Sequence, residues 1–313
     1  MSTAEHAPTA TGFAPSPLLT ITLDAAPNGD TELHVHAGGQ GHWIARMATN
    51  LGLDVTLTGA FGGESGGVLR DLIHREGITV RAVDIGTESG SYIHDRRDGD
   101  RTEVATIDPP HLARHALDDL YGITLESGAS SDIVLLGGPH TESVVPADFY
   151  RRLTTDLRSL SKPVVADLSG PTVTAALQGG LTVLKMSHED LIEDGRAESE
   201  DPDVLIEAMR ALHDEGADIV VLSRAADPAL ALVDGTVLEV VTPDLEQTDH
   251  HGAGDSMSAG IATGLVRGMS IEKALALGGA AGTANVTRRG LGTGQLGLVE
   301  TIMSTVEVRP FSS

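Results

Sequence analysis

Six short apolar runs recur along this chain, each separated from the next by a segment of helical periodicity, and this alternation restricts its fold more than any other feature. The runs are "LLTITL" (18–23), "DVTLTGAFG" (54–62), "DIVLLGG" (132–138), "PVVADLS" (163–169), "LTVLKMS" (181–187) and "DIVVLS" (218–223). Between them lie amphipathic stretches such as "GHWIARMATNLG", "PADFYRRLTTDLRSL" and "PDVLIEAMRALHDEG". Near-continuous apolar strands bounded by helices are strands buried on both faces of a parallel sheet. The expected fold class is therefore α/β: three layers, a doubly wound, mostly parallel sheet with helices on both faces. At 313 residues the chain is long enough for one large domain of this kind.

Two segments break the rhythm. "SYIHDRRDGDRTEVATI" (91–107) alternates apolar and polar residues around Asp98-Gly99, a hairpin signal, and reads as a half-exposed flap over one end of the sheet. "ALALVDGTVLEVV" (229–241) reads as an antiparallel hairpin turning at Asp234-Gly235. The start, through Pro17, is rich in Ala, Thr and Pro, with neither a basic n-region nor an apolar h-region. It is expected to be a disordered tail rather than a signal peptide. The domain expectation is thus a tail over 1–17 and one α/β domain over 18–313, with a small β lid from about 24–37 and 88–107.

Charge narrows the function. With 45 acidic and 21 basic side chains the formal charge is −24, which repels nucleic acid and anionic membranes, and an anionic substrate needs a local exception to that field. There is no cysteine, hence no disulfide, thiol nucleophile or thiolate metal site. No apolar run approaches the length of a membrane span. The expected location is the cytoplasm.

The chemistry-bearing stretch is "DHHGAGDSMSAG" (249–260). Gly252, Ala253 and Gly254 leave backbone N–H groups uncovered at the start of a small-residue helix, where the helix dipole adds partial positive charge. Asp255 follows directly. A transferring phosphoryl group gains from several such donors together, and a carboxylate beside it can take a hydroxyl proton. The plainer reading is that Asp255 caps the helix.

This stretch resembles the C-terminal signature of the PfkB, or ribokinase-like, carbohydrate kinases, and other segments match in order. "HAGGQGHWIARMATNLG" (36–52) resembles the family's GG-x-G segment, "GGPHTESVVPADFYRRL" (137–153) its GSLP-x-G…DFY segment, and "VVADLSG" the DTSG segment of the phosphofructokinase branch. "LKMSHEDL" (184–191) stands where that branch carries KPN-x-x-EL, and "GGAAGTANVTRRGLGTG" where the last nucleotide-side helix is expected. The similarity is greatest to the 1-phosphofructokinase and tagatose-6-phosphate kinase branch.

The resemblance implies ATP- and Mg²⁺-dependent phosphoryl transfer to a sugar-type hydroxyl, with Asp255 as base and Gly252, Ala253 and Gly254 as the anion hole. It implies Mg²⁺ carboxylates at Asp190 and Asp167, and Lys185, Ser187, Ser223, Gly252, Gly254 and Asn285 on the nucleotide side. On the acceptor side it implies Gly38, Gly39, Gln40, Trp43, Glu88 and Gly138, with Asp30 as the acid that binds sugar hydroxyls. Relatives pair through their flaps, so the partners implied are a sugar-like substrate, ATP and a second copy in a homodimer.

The departures gather on the acceptor side. Gln40 stands at a Lys position, and Trp43, the lone Trp, at an Asn position, either as a core residue or as a face for stacking on a ring. Glu88 in "TESG" replaces the Arg that would meet a substrate phosphate; only Arg96 or Arg97 on the flap offers compensation. The segment before "AGGQG" is short for the family's flap. On the nucleotide side Ser187 replaces an Asn, and "SRAADPA" lacks the usual glycines. Of 13 histidines, His34, His36 and His42 form one group and His250 and His251 another, in spacings that match no familiar zinc pattern; they read as surface or pocket-edge groups. The leading expectation is a PfkB-type kinase acting on a small polyhydroxylated or nucleoside-like alcohol. The alternative is a ribokinase-like protein that binds a sugar or nucleotide for regulation without turnover. A dinucleotide oxidoreductase is disfavoured, because "AGGQGHW" has the wrong spacing and no acidic residue follows a second strand.

Overall fold

The computed structural model describes residues 7–99, 101–141, 143–288 and 290–312. In chain order they form β1 (Thr9–Phe13), β2 (Leu18–Ala25), β3 (Thr31–Gly38), α1 (Gln40–Asn50), β4 (Asp54–Gly62), α2 (Gly63–Arg75), β5 (Thr79–Ile85), β6 (Ser91–Asp95) and β7 (Thr102–Ile107). There follow α3 (Arg114–Ser130), β8 (Ile133–Gly137), α4 (Ala147–Ser159), β9 (Val164–Asp167), α5 (Pro171–Gly179), β10 (Leu181–Ser187), α6 (His188–Glu193), α7 (Pro202–Glu215) and β11 (Ala217–Arg224). The chain ends with β12 (Asp227–Val233), β13 (Thr236–Val241), α8 (Ala253–Val266), α9 (Ile271–Val286), α10 (Leu296–Met303) and β14 (Glu307–Pro310). No helix among the described residues is long and apolar enough to cross a membrane.

Ten strands make one sheet in the order β14-β13-β12-β11-β10-β9-β8-β1-β4-β5. Pairing is parallel from β5 to β11 and antiparallel beyond. Successive side chains of a strand face opposite ways: in β8, Val134 and Leu136 enter one core, Ile133 and Leu135 the other. That double burial is why these strands read as unbroken apolar runs. The hairpin at Asp234-Gly235 is formed by β12 and β13, both turn residues having positive φ.

A second sheet, in the order β3-β2-β6-β7, lies apart from the first. Its strands alternate: Thr22 and His94 are buried, while Leu33, Val104 and Ile107 are exposed.

The amino-terminal expectation is corrected here. Residues 1–6 of the expected tail lie outside the described residues, but Thr9–Phe13 is an inner strand, paired with β4 on one side and β8 on the other. Its residues are buried by position rather than by hydrophobicity. Thr11 meets the Ser131 hydroxyl at 3.1 Å, and at Gly12 a Cβ would stand 3.2 Å from that of Ala45. Composition cannot show this. "LLTITL", read as the first strand of the body, is instead β2 of the small sheet, which therefore begins at Leu18 rather than near residue 24.

Candidate active site

Parallel strands deliver their carboxyl ends to one edge, where ligands of open α/β sheets bind. Register sets Gly137 beside Asp167 and Asp167 beside Lys185, a row across β8, β9 and β10. The backbone of α1 can approach this edge because both sides of the crossing are glycine. A Cβ on Gly41 would fall 2.3 Å from the Phe13 carbonyl, and one on Gly137 would fall 2.6 Å from Gly41. Gln40 is thereby held over the strand ends. Its Oε1 accepts from Gly138 N (2.7 Å), and its Nε2 donates to Asp167 Oδ1 (3.1 Å).

α8 enters from the other side. Gly252 caps it at φ 74°, a left-handed conformation suited to glycine, and no side chain caps its first N–H groups. Asp255 is the third helical residue, not the cap, and is 8% exposed. Lys185 Nζ lies against Gly254, where a Cβ would come within 2.1 Å of it, and reaches Asp167 Oδ2 at 3.2 Å. Ser258 donates to the same Oδ2 at 2.8 Å.

Three carboxylates thus share one buried cation, and the charges do not balance. Burial, then the neighbouring Asp167 charge, hold the Asp255 carboxyl well above the ordinary carboxylate range; Asp190 adds to this, while Lys185 and the Gln40 amide oppose it. Burial by itself would lower Lys185, but Asp167, Asp255 and Asp190 more than reverse it, so its pKa is raised and the ammonium stays charged. Asp167 therefore serves as the partner of Lys185, and Asp255 is the carboxylate whose pKa is raised.

The nucleotide-side expectations divide. Ser187 and Ser223 are adjacent in register at the ends of β10 and β11. Asp190 is not a loose surface acid: it forms a capping box on α6, its N–H donating to Ser187 Oγ (3.0 Å) and its Oδ2 accepting from that hydroxyl (2.6 Å). Among the described residues its Oδ1 takes no hydrogen bond. Asp167, expected as a metal carboxylate, has both oxygens engaged by Gln40, Ser258 and Lys185 and does not fit direct ligation. Asn285 is also corrected. Fully buried, it donates Nδ2 to His251 O and accepts Gly292 N at Oδ1, both at 2.7 Å, so both ends of its amide brace the loops on either side and burial keeps it from a nucleotide's reach.

Where the acceptor residues are expected lie two cavities, of about 480 and 550 Å³, that share Thr20, Trp43 and Arg101 as walls. Gln40, Gly39 and Gly138 line the smaller, while Gly38 closes against Thr20 Oγ1, which a Cβ would meet at 2.5 Å. Asp255 lines neither; Gln40 is its link to the smaller one. Trp43 is half-buried, with a face on each cavity.

Asp30 sits at the exposed tip of the β2–β3 hairpin, accepts from Asn28 Nδ2 at 2.7 Å and lines neither cavity. Glu88 is exposed and caps α2, accepting from Glu64 N (3.2 Å), Ser65 N (3.1 Å) and Ser65 Oγ (2.8 Å). The Ser65 bonds foremost, with that from Glu64, hold its carboxyl below the usual range. Its charge is spent on a helix end, so the repulsion of a substrate phosphate expected from it is not realised at either cavity.

Some residues were not singled out by the sequence reading. Arg96, named there only as possible compensation, pairs with the buried Asp249 at 2.7 Å and ties the small sheet to the loop before α8. Burial would raise Asp249, but bonds from His251 and Arg96 outweigh it and hold the carboxyl at about 2. Arg97 is bound to Asp95. Arg101, from the same "RRDGDR" segment, reaches the cavities, and only its place after the turn could have hinted at this. His42 is wholly buried on Glu76 (2.7 Å), not a pocket-edge group. Asp249, His250 and His251 form a group of metal-ligand type. There, Asp249 is already held by Arg96 and by His251 Nδ1 at 2.7 Å.

The pfkB family carbohydrate kinase model matches residues 19–296. The fold is similar to that of phosphofructokinase-2 from Escherichia coli, solved in complex with potassium, at 23% identity and TM-score 0.83 over 96% of this chain and 99% of that one. A possible 1-phosphofructokinase from Thermotoga maritima is 17% identical with TM-score 0.82 over 97% and 100%. Arabidopsis thaliana ribokinase, complexed with ribose and ATP, is 18% identical with TM-score 0.75 over 95% and 99%.

Proposed function

Since this chain belongs to the pfkB family of carbohydrate kinases, we propose that it transfers the terminal phosphoryl group of ATP to a hydroxyl of a sugar or sugar-like molecule seated between the small sheet and the body. The observation that carries this is Asp255, buried in the first turn of an uncapped helix, while the neighbouring Asp167 is the carboxylate paired with Lys185. The N–H groups at Gly252, Ala253 and Gly254 receive the transferring phosphoryl oxygens, and the Lys185 ammonium beside Gly254 adds full charge at the same point. Asp255 accepts the acceptor's hydroxyl proton as that oxygen bonds to phosphorus and ADP leaves. A base whose pKa is lifted towards the working pH is well matched to this task.

Mg²⁺, where bound, would supply positive charge to offset that of the donor's phosphates. Asp190, with one oxygen unengaged among the described residues, would hold it through water, the mode Mg²⁺ favours. Gln40 and Gly138 orient the acceptor, and Trp43 offers it a ring face.

The test is ATP turnover against a panel of sugars, sugar acids, sugar phosphates and nucleosides. Asp255→Asn is expected to lower kcat by roughly 10²–10⁴-fold with thermal stability kept. Turnover indifferent to this change, or absent with every acceptor, would sink the proposal. Binding without turnover would leave the regulatory ligand-binding alternative.

A further inference from the structure

The sequence offers Gln40 as an acceptor-side residue, but most of the bonding of its carboxamide is spent inside the protein. Oε1 accepts from Gly138 N at 2.7 Å, and a backbone N–H can only donate, so the amide fits one way round. Its NH₂ end is thereby turned to the carboxylates. One N–H goes to Asp167 Oδ1 at 3.1 Å, and a side-chain hydrogen bond from the same amide acts on the Asp255 carboxyl. The backbone leaves it no other place. Gly39, just before it, has φ 101°, and Gly41, just after it, lies too close to the Phe13 carbonyl for any side chain.

Asp255 is buried among groups that pull its proton in both directions. Asp167 from β9 and Asp190 from α6 disfavour its charged form, while Lys185 from β10 and Gln40 from α1 favour it. Lys185 is shared with Asp167, its ion-pair partner at 3.2 Å, so the cluster is short of positive charge. Resting on the reading of Asp255 as the base, we propose that Gln40 is a positioning residue for it: the carboxamide, locked by Gly138, bridges the Asp167 and Asp255 carboxyls and holds Asp255 in the orientation and ionised form that proton acceptance needs. A glutamine suits this place better than the lysine of the GG-K-G pattern. A second buried cation would stabilise the Asp255 carboxylate so far that it became a weak base, and an apolar residue would leave it protonated.

Two variants displace the bridge in opposite senses: Gln40→Leu removes the donor, and Gln40→Lys puts a cation in its place. Ionisation of Asp255 is followed by carboxyl carbon NMR on protein labelled in aspartate, its signal assigned by disappearance in Asp255→Asn, and is compared with the acid limb of kcat/KM. Gln40→Leu is expected to move the ionisation to higher pH by about one pH unit. Gln40→Lys should move it to lower pH, and the acid limb should follow each variant in the same direction. A merely structural role would not move the two variants oppositely. If Gln40→Leu fails to fold, the direction of the Gln40→Lys shift decides. Shifts of both variants in one direction, no shift in either, or weakened acceptor binding with Asp255 ionisation unchanged would overturn the proposal. Opposite NMR shifts in a protein without ATP turnover would uphold the bridge and defeat the kinase reading; turnover whose acid limb ignores both variants would do the reverse.

Discussion

On one side of the cleft, Lys185, Asp167 and Ser258 are nearly shut off from water and, with the half-buried Gln40, join in one set of hydrogen bonds and an ion pair. On the other, Arg101 Nε and His94 Nδ1 are buried with no hydrogen-bond partner among the described residues. The first side stands on the ends of central parallel strands, the second on a thin four-stranded sheet. On the proposed function, the chemistry is served by groups already oriented, whereas recognition of a particular acceptor would fall to groups that become satisfied only when it arrives.

Lys185→Met tests the catalytic side most severely. It strands Asp167 and Asp255 without their buried cation, and a loss of about 3–5 kcal/mol in unfolding free energy is expected by denaturant titration. Unchanged stability would mean that this side is not self-satisfied, and the contrast with Arg101 would collapse.

A milder probe is the acid limb of the pH–rate profile. Asp255 must lose its proton to act, so kcat/KM should fall as pH drops through its raised pKa. Asp167→Asn removes a charge that favours the protonated form, so the limb should move to lower pH in whatever activity remains. Movement to higher pH would contradict the assignment.

The smallest effect is expected at Glu88→Ala. Loss of the α2 cap should lower Tm slightly, with acceptor KM unchanged for neutral and anionic substrates alike. A marked KM change would return Glu88 to the acceptor site.

How legible each side was follows from how local its signals are. The strand ends were read from apolar runs, and the α8 entry from adjacent small residues, because strand burial and helix starts are written into neighbouring positions. β1 was missed because Thr11 and Gly12 are buried by what packs around them: Ser131, Ala45 and Leu57 lie far along the chain. Glu88 and Asn285 were given ligands by motif position, yet each had a closer employer, a helix end for one and two loop backbones for the other. Arg96, Arg97 and Arg101 sit within six residues of one another, and nothing local tells that Arg96 pairs with the distant Asp249 while Arg97 pairs with the nearby Asp95.

The sequence by itself determined the parallel α/β frame, both Asp-Gly hairpins and the placing of Asp255 at an uncapped helix start, since each depends on backbone preferences over a few consecutive residues. Only the tertiary structure decided that Asp167 goes to Lys185, that Asp255 keeps a raised pKa, and that Arg96 goes to Asp249. Ionisation and pairing depend on burial and on distances between residues tens to hundreds of positions apart, and those exist only once the chain has folded.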